Sequence, residues 1–219
     1  MSNAEPSIEK SIVEALADST LLDVAVSWAD IGVETLVNSE FLSQVPLLGQ
    51  ILSLWRGGQQ IRGILFVKKL LRFLDATSDV SEEDRLHFVT RMQEDPARES
   101  RVGGQLILLL DRLDDVSKAA SVGRAFADYL RTKLDYDEYA ELARAIDGSS
   151  LCDLSVLDNQ IEFRPNAYDE MVGGYILNDS VTGPARSRLL GAGLVERTSA
   201  GYEVTYLGRR IIRYIGPEA

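Results

Sequence analysis

From Gln59 to Leu74 the chain spells a strongly apolar helix. Ile64, Val67, Leu71 and Leu74 fall on one stripe at helical spacing, and Phe66, Leu70 and Phe73 form a second stripe beside it. Arg62, Lys68, Lys69 and Arg72 fill the remaining sector, so the apolar arc exceeds half the circumference. An arc that wide is a greasy surface that a bundle core, an oligomer interface or a membrane could cover.

The residues ahead of it extend the pattern. Phe41 to Trp55 runs uncharged for fifteen residues, interrupted early by Pro46 and Gly49, and Gly57-Gly58 breaks the chain before the helix. Residues 41–75 therefore read as an apolar helical hairpin with a basic stripe made of Arg56, Arg62, Lys68, Lys69 and Arg72. The uncharged run is shorter than the roughly 20 residues needed to span a bilayer. An apolar arc edged by cations instead suits a partner surface or the face of an anionic membrane. The competing reading makes both helices core, with the cations at the bundle surface.

Helical periodicity continues on both sides. Ile8, Ile12, Ala15 and Leu16 share a face in a first helix, and a second is expected over Leu21 to Val37 with Trp28 as an anchor. Ser81 followed by Glu82, Glu83 and Asp84 is a helix start, a capping hydroxyl with acids in the positive first turn. That helix ends before Pro96. Glu99 to Leu113 carries the run Leu106 to Leu110, continuous enough to predict the buried centre of the bundle. Val116 to Lys133 forms another helix, and Asp135 with Glu138 resembles a capping box for one that turns Tyr139, Leu142, Ala143 and Ile146 inward.

The texture changes at Gly148-Ser149-Ser150. Ile161-Glu162-Phe163-Arg164 alternates like a strand, and turn residues become frequent. Thr182 is placed to cap a short arginine-bearing helix that leads into Gly191-Ala192-Gly193. Leu194 to Arg197 then reads as a strand, Thr198 to Gly201 as a tight turn, and Tyr202 to Thr205 as the returning strand. The expected fold class is mainly α: a helical bundle domain over 5–147, then a small α+β module over 150–215.

Charge narrows the partners. The net charge of −11 is uneven. Residues 1–40 hold eight acids and one lysine, 41–75 five bases and one acid, and 76–159 eighteen acids and ten bases. A globally acidic chain repels nucleic acid and anionic lipid at long range, so contact with either must come from a local basic surface. The C-terminal module offers one: Arg186, Arg188, Arg197, Arg209, Arg210 and Arg213 face only Glu196 and Glu203 between Pro184 and Ile215. In a nucleic-acid reading Arg186 and Arg188 meet bases or phosphates in the major groove, and Arg197 touches the backbone beside a turn that carries no base.

Reaction chemistry is not written here. The single histidine, His87, has no cysteine or second histidine near it, and zinc needs more ligands than that. Cys152, the one cysteine, has no partner for a disulfide, fits a reducing cytoplasm, and is expected to be a buried thiol. Asp114-Asp115 and the acids at 135–138 do not follow a calcium-loop pattern and are explained by helix caps. The paired glycines at 57, 103 and 173 lack the lysine and hydroxyl of a phosphate loop. No secretory signal is expected, because residues 1–16 are acidic. No catalytic set, metal or cofactor is expected.

The stretch LLGAGLVERTSAGYEVTYLGRRII resembles the end of bacterial winged-helix proteins, in which a GL(I/V) strand and an (L/V)T-x-x-G helix start flank the wing. The resemblance covers about the last 35 residues and implies a winged-helix-like module. The whole layout of apolar hairpin, helical middle and such a tail is loosely similar to the abortive-infection alpha group, which implies a bacterial role in phage defence and supplies no catalytic residues. The resulting expectation is a non-enzymatic cytoplasmic interaction or regulatory protein. Its helical domain would self-associate or dock on a partner protein or on the inner face of the membrane. The alternative is a DNA-binding transcriptional regulator with a helical dimerisation domain.

Overall fold

The computed structural model describes residues 7–32, 45–54, 60–166 and 169–216. The protein is mainly helical, with a small four-stranded antiparallel sheet towards the C-terminus. It divides into two compact units, Met1–Asp135 and Tyr136–Ala219. The Gly148–Ser150 turn, where the texture of the sequence changes, lies inside the second unit.

The first unit is a bundle of α1 (Ile8–Ala15), α2 (Ser19–Trp28), α3 (Pro46–Leu54), α4 (Gln60–Asp75), α5 (Glu82–Gln93), α6 (Pro96–Arg112) and α7 (Ser117–Leu130). The wide apolar arc of α4 is core: Ile64, Phe66, Val67, Leu70, Leu71, Phe73 and Leu74 are all buried. α2, α3, α6 and α7 pack around it. Phe73 meets Phe126 of α7 with ring centroids 5.3 Å apart, and Phe88 and Tyr129 complete an edge-on aromatic cluster. On the other side α1 crosses α6 so closely that a Cβ on Gly103 would stand 2.1 Å from the Glu9 carbonyl oxygen. Only glycine fits at that crossing.

The helix boundaries follow local chemistry. Ser81 caps α5 by accepting from the Asp84 N–H at 3.1 Å, and Asp95 caps α6 in the same way from Arg98. Pro46 and Pro96 stand at the first positions of α3 and α6, where a missing N–H is harmless. Pro46 thus begins a helix, whereas its sequence position suggests an interruption. α2 ends at Trp28, short of the expected Val37, and residues 33–37 lie outside the described set. The run Leu106 to Leu110 is not buried throughout: Leu106 and Leu110 are core, while Leu108 is 63% exposed. Its helix touches the bundle along one face only, and a continuous apolar run must then turn some members outward.

The second unit holds α8 (Tyr136–Gly148), α9 (Leu151–Asn159), β1 (Ile161–Asn166), β2 (Asp169–Leu177), α10 (Gly183–Gly191), β3 (Val195–Thr198), β4 (Gly201–Val204) and α11 (Tyr206–Ile215). Strand order is β1-β2-β4-β3. The register pairs Phe163 with Tyr175, Ile176 with Glu203, and Glu196 with Glu203. Tyr139, Leu142, Ala143 and Ile146 of α8 are buried as expected, in the unit that also holds α11.

The sequence LVERTSAGYEVTYLG folds around one hydroxyl. Thr205 caps α11 by accepting from the Gly208 N–H at 3.1 Å, and its own hydroxyl donates to the Gly193 carbonyl at 2.7 Å. A Cβ on Gly208 would fall 2.2 Å from the Leu194 carbonyl oxygen, which explains the glycine three residues after the threonine. Gly193 itself carries the positive φ, +71°, that ends α10.

Candidate interaction surfaces

The basic stripe of α4 is tied into the bundle. Arg62 donates through Nε to Asp111 at 3.0 Å and through Nη2 to the second carboxylate oxygen. Lys69 is buried, and its Nζ donates to the carbonyls of Asp111 at 3.2 Å and Leu113 at 2.5 Å. Those carbonyls belong to the C-terminal end of α6, which lacks helical donors and carries the negative end of the helix dipole. Burial pushes the Lys69 ammonium below the usual lysine range, against the pull of the Asp111 and Asp114 carboxylates. Arg72 pairs with Asp30 at 2.5 Å, and Lys68 is half-buried. Arg56 lies outside the described residues. Ile61, Leu65 and Leu108 stand exposed on the two helices that the Arg62–Asp111 pair joins.

The two arginines of α10 are also held. Arg188 makes a fork with Asp153 of α9: Nε donates to Oδ2 at 2.8 Å and to Oδ1 at 3.1 Å, and Nη2 donates to Oδ1 at 2.8 Å. Asp153 is 3% exposed and also accepts the Ser150 hydroxyl at 2.6 Å, while its N–H donates back to Ser150 in the cap of α9. The Arg188 guanidinium, then the Ser150 hydroxyl, hold the Asp153 carboxyl below the usual carboxylate range against the effect of burial. Arg186 turns back to donate to the carbonyls of Asn178 at 3.2 Å and Asp179 at 2.8 Å, and lies 5.4 Å from the Tyr202 ring centroid. Thr182 occupies the N-cap position of α10, but its side chain makes no capping hydrogen bond.

The other arginines point to different surfaces. Arg210 pairs with Glu138 at 3.2 Å and stacks on Tyr206. Arg209 is exposed and reaches the Val204 carbonyl at 3.4 Å. Arg197 on β3 and Arg213 on α11 are exposed, with no ion-pair partner among the described residues. Of the six arginines only Arg186 and Arg188 lie on α10, and the other four lie on β3 and α11.

Neither edge of the sheet invites another strand. β1 carries Pro165, which has no N–H, and β3 is four residues long with Glu196 and Arg197 exposed. Phe163 and Tyr175 form an exposed edge-on aromatic pair, 5.5 Å between centroids, on the β1–β2 hairpin. That hairpin was only half foreseen, since Asp169–Leu177 breaks its alternation with Gly173-Gly174.

Among the described residues no group of three histidine, cysteine or acidic side chains could hold a metal ion. His87 is exposed on α5. Cys152 is exposed at the start of α9, not buried as expected, because the inward positions of that helix are Asp153, Leu154 and Leu157. Asp114 pairs with Lys118 at 2.6 Å, and Asp115 accepts from the Ser117 N–H at 2.7 Å, as helix-start acids do. A cleft of about 230 Å³ between α1, α2 and α3 is lined by Ser11, Glu14, Asp18 and Gln50 over Leu21 and Leu47. It falls below the roughly 300–1,000 Å³ of ordinary ligand pockets, and Asp18 on its wall is the cap of α2. No helix among the described residues is long and apolar enough to cross a membrane.

Asp153 is the residue that sequence reasoning missed. Ser150 with an acid three residues later is a helix-start signal, but nothing local shows that the acid reaches Arg188. Compared with known proteins, the chain matches no family model, no curated protein and no solved structure.

Proposed function

We propose that this is a non-enzymatic interaction protein, a helical bundle joined to a winged-helix-type module that meets protein rather than duplex DNA. The support for a winged-helix type is the strand–turn–strand of β3 and β4, between the glycine end of α10 and the Thr205 cap of α11. The observation that carries the choice of partner is the engagement of Arg188 and Arg186. A helix reading a major groove needs side chains free to reach base edges. The outward guanidinium of α10 is forked onto Asp153, and the other folds back onto Asn178 and Asp179. In the bundle, Arg62, Lys69 and Arg72 are likewise bound to its own carboxylates and carbonyls, which weakens the support for lipid docking through residues 41–75.

Fluorescence anisotropy with a labelled 20-base-pair duplex, over a range of salt, tests the choice. The expected result is binding no tighter than non-specific affinity, about 10⁻⁴–10⁻⁶ M at physiological salt. Sub-micromolar, salt-sensitive binding that Arg186→Ala and Arg188→Ala abolish would establish the regulator reading instead. Sedimentation velocity over a concentration series then separates self-association from docking on another protein. A place in phage defence follows from the layout resemblance, and plaque counts on bacteria expressing the protein, against an empty vector, test it directly.

A further inference from the structure

We propose that the Asp153–Arg188 fork is a releasable latch that holds α10 against α9. Besides α9, α10 packs on β3. It is a nine-residue helix that buries only Ala185 and Leu189, and Thr182 leaves its first turn without a side-chain cap. Arg186 ties it to the segment just before it, at Asn178 and Asp179, and lies over the Tyr202 ring of β4. Gly183 and Gly191 bound it, each with open space where a Cβ would stand. α9 and α11 differ: each has a hydroxyl cap, at Ser150 and Thr205, and each buries three residues.

The latch is built to open from one side. Asp153 is 4% exposed at its side chain and Ser150 holds it in place, whereas the Arg188 side chain is 56% exposed. Solvent, salt or a carboxylate on a partner can therefore compete for the guanidinium without disturbing α9. Release of Arg188 lets α10 lift and uncovers Leu189. An acidic partner fits the opened state, because its carboxylate would replace the one that Arg188 leaves. The latch rests on the contacts of α10 and not on the identity of the partner, and because a released Arg188 could meet a phosphate as well as a carboxylate, the duplex titration tests that outcome separately.

Hydrogen exchange followed by mass spectrometry on the full chain tests it. In the wild type, amides of α10 should exchange at least about tenfold faster than those of α9 and α11, as a locally opening element does. Arg188→Gln should accelerate α10 by a further factor of about ten with α9 and α11 unchanged, and Arg188→Lys should fall between. Exchange of α10 in step with α9 and α11 in the wild type would overturn the proposal, and that measurement needs no variant to fold. Acceleration of all three helices together in Arg188→Gln would also overturn it, since the fork would then be a global tie.

Discussion

Glu196 of β3 and Glu203 of β4 lie directly opposite each other in the antiparallel ladder, with their side chains on the same face of the sheet. Glu203 also neighbours Ile176 of β2, and Glu162 of β1 is next in that row. Like charges facing each other across a ladder repel, and the described residues show no ion pair to either glutamate. Glu196→Gln should stabilise the C-terminal unit by about 0.2–1 kcal/mol. Trp28, the one tryptophan among the described residues, belongs to the first unit, so the gain is read by hydrogen exchange or tyrosine signals. It should shrink in high salt.

Thr132 follows α7 with φ of +57°, a left-handed conformation that a β-branched residue adopts only under constraint. The turn is set by the Thr132 and Lys133 N–H groups, which donate to the Tyr129 and Asp128 carbonyls. Thr132→Gly keeps those bonds and relieves the backbone. A stabilisation of about 0.5–1 kcal/mol is expected, as a rise in the urea midpoint of tryptophan fluorescence. A fall in that midpoint would show that the threonine side chain has a role beyond its backbone.

Thr205→Val removes the hydroxyl that caps α11 and holds the Gly193 carbonyl while keeping the side-chain shape. A loss of about 1–2 kcal/mol is expected in the C-terminal unit alone. Hydrogen exchange should show it in α11 and β4, with the bundle unaffected.

Acid should act through Asp153. Its folded pKa is depressed by Arg188 and Ser150, so the stabilisation is complete above the unfolded value of about 3.9 and is lost as pH falls through the lower folded value. Asp153→Asn lacks that contribution. The difference in stability between wild type and variant should be flat from about pH 7 to pH 5 and close below about pH 4. A difference that grows on acidification would contradict the fork.

Lys69 and Lys68 are adjacent in sequence and should behave oppositely. Lys69→Met strands the Asp111 and Leu113 carbonyls at the end of α6, at a cost of about 1–3 kcal/mol. Lys68→Gln, at a half-buried position, should stay within about 0.5 kcal/mol. Urea titration of the two variants by tryptophan fluorescence checks both.

Much of the fold is written locally. The double stripe of α4, the Ser81 start of α5 and the glycine–threonine pattern from Gly191 to Gly208 each depend on spacing within a few residues, and each is where spacing put it. β2 escaped because Gly173-Gly174 erases alternation in a strand that pairing with Ile161–Asn166 defines. Leu108 and Cys152 were misplaced because exposure is set by how many neighbours a helix has, which its own composition does not encode. The arginines were legible as charges and illegible as contacts. Arg188 meets an acid 35 residues away, and Arg62 meets one 49 away. Charge counts on a strand of text cannot tell a free cation from one already matched.

The glycine crossing of α1 and α6 bears on synthesis as well as stability. Ile12, Val13 and Leu16 leave the ribosome well before Gly103, so α1 finds its main neighbour only when α6 has followed. Until then α3 covers this apolar face only in part. Closure of the bundle is therefore late and non-local, so folding during translation should depend on whatever shields the first helix in the interval.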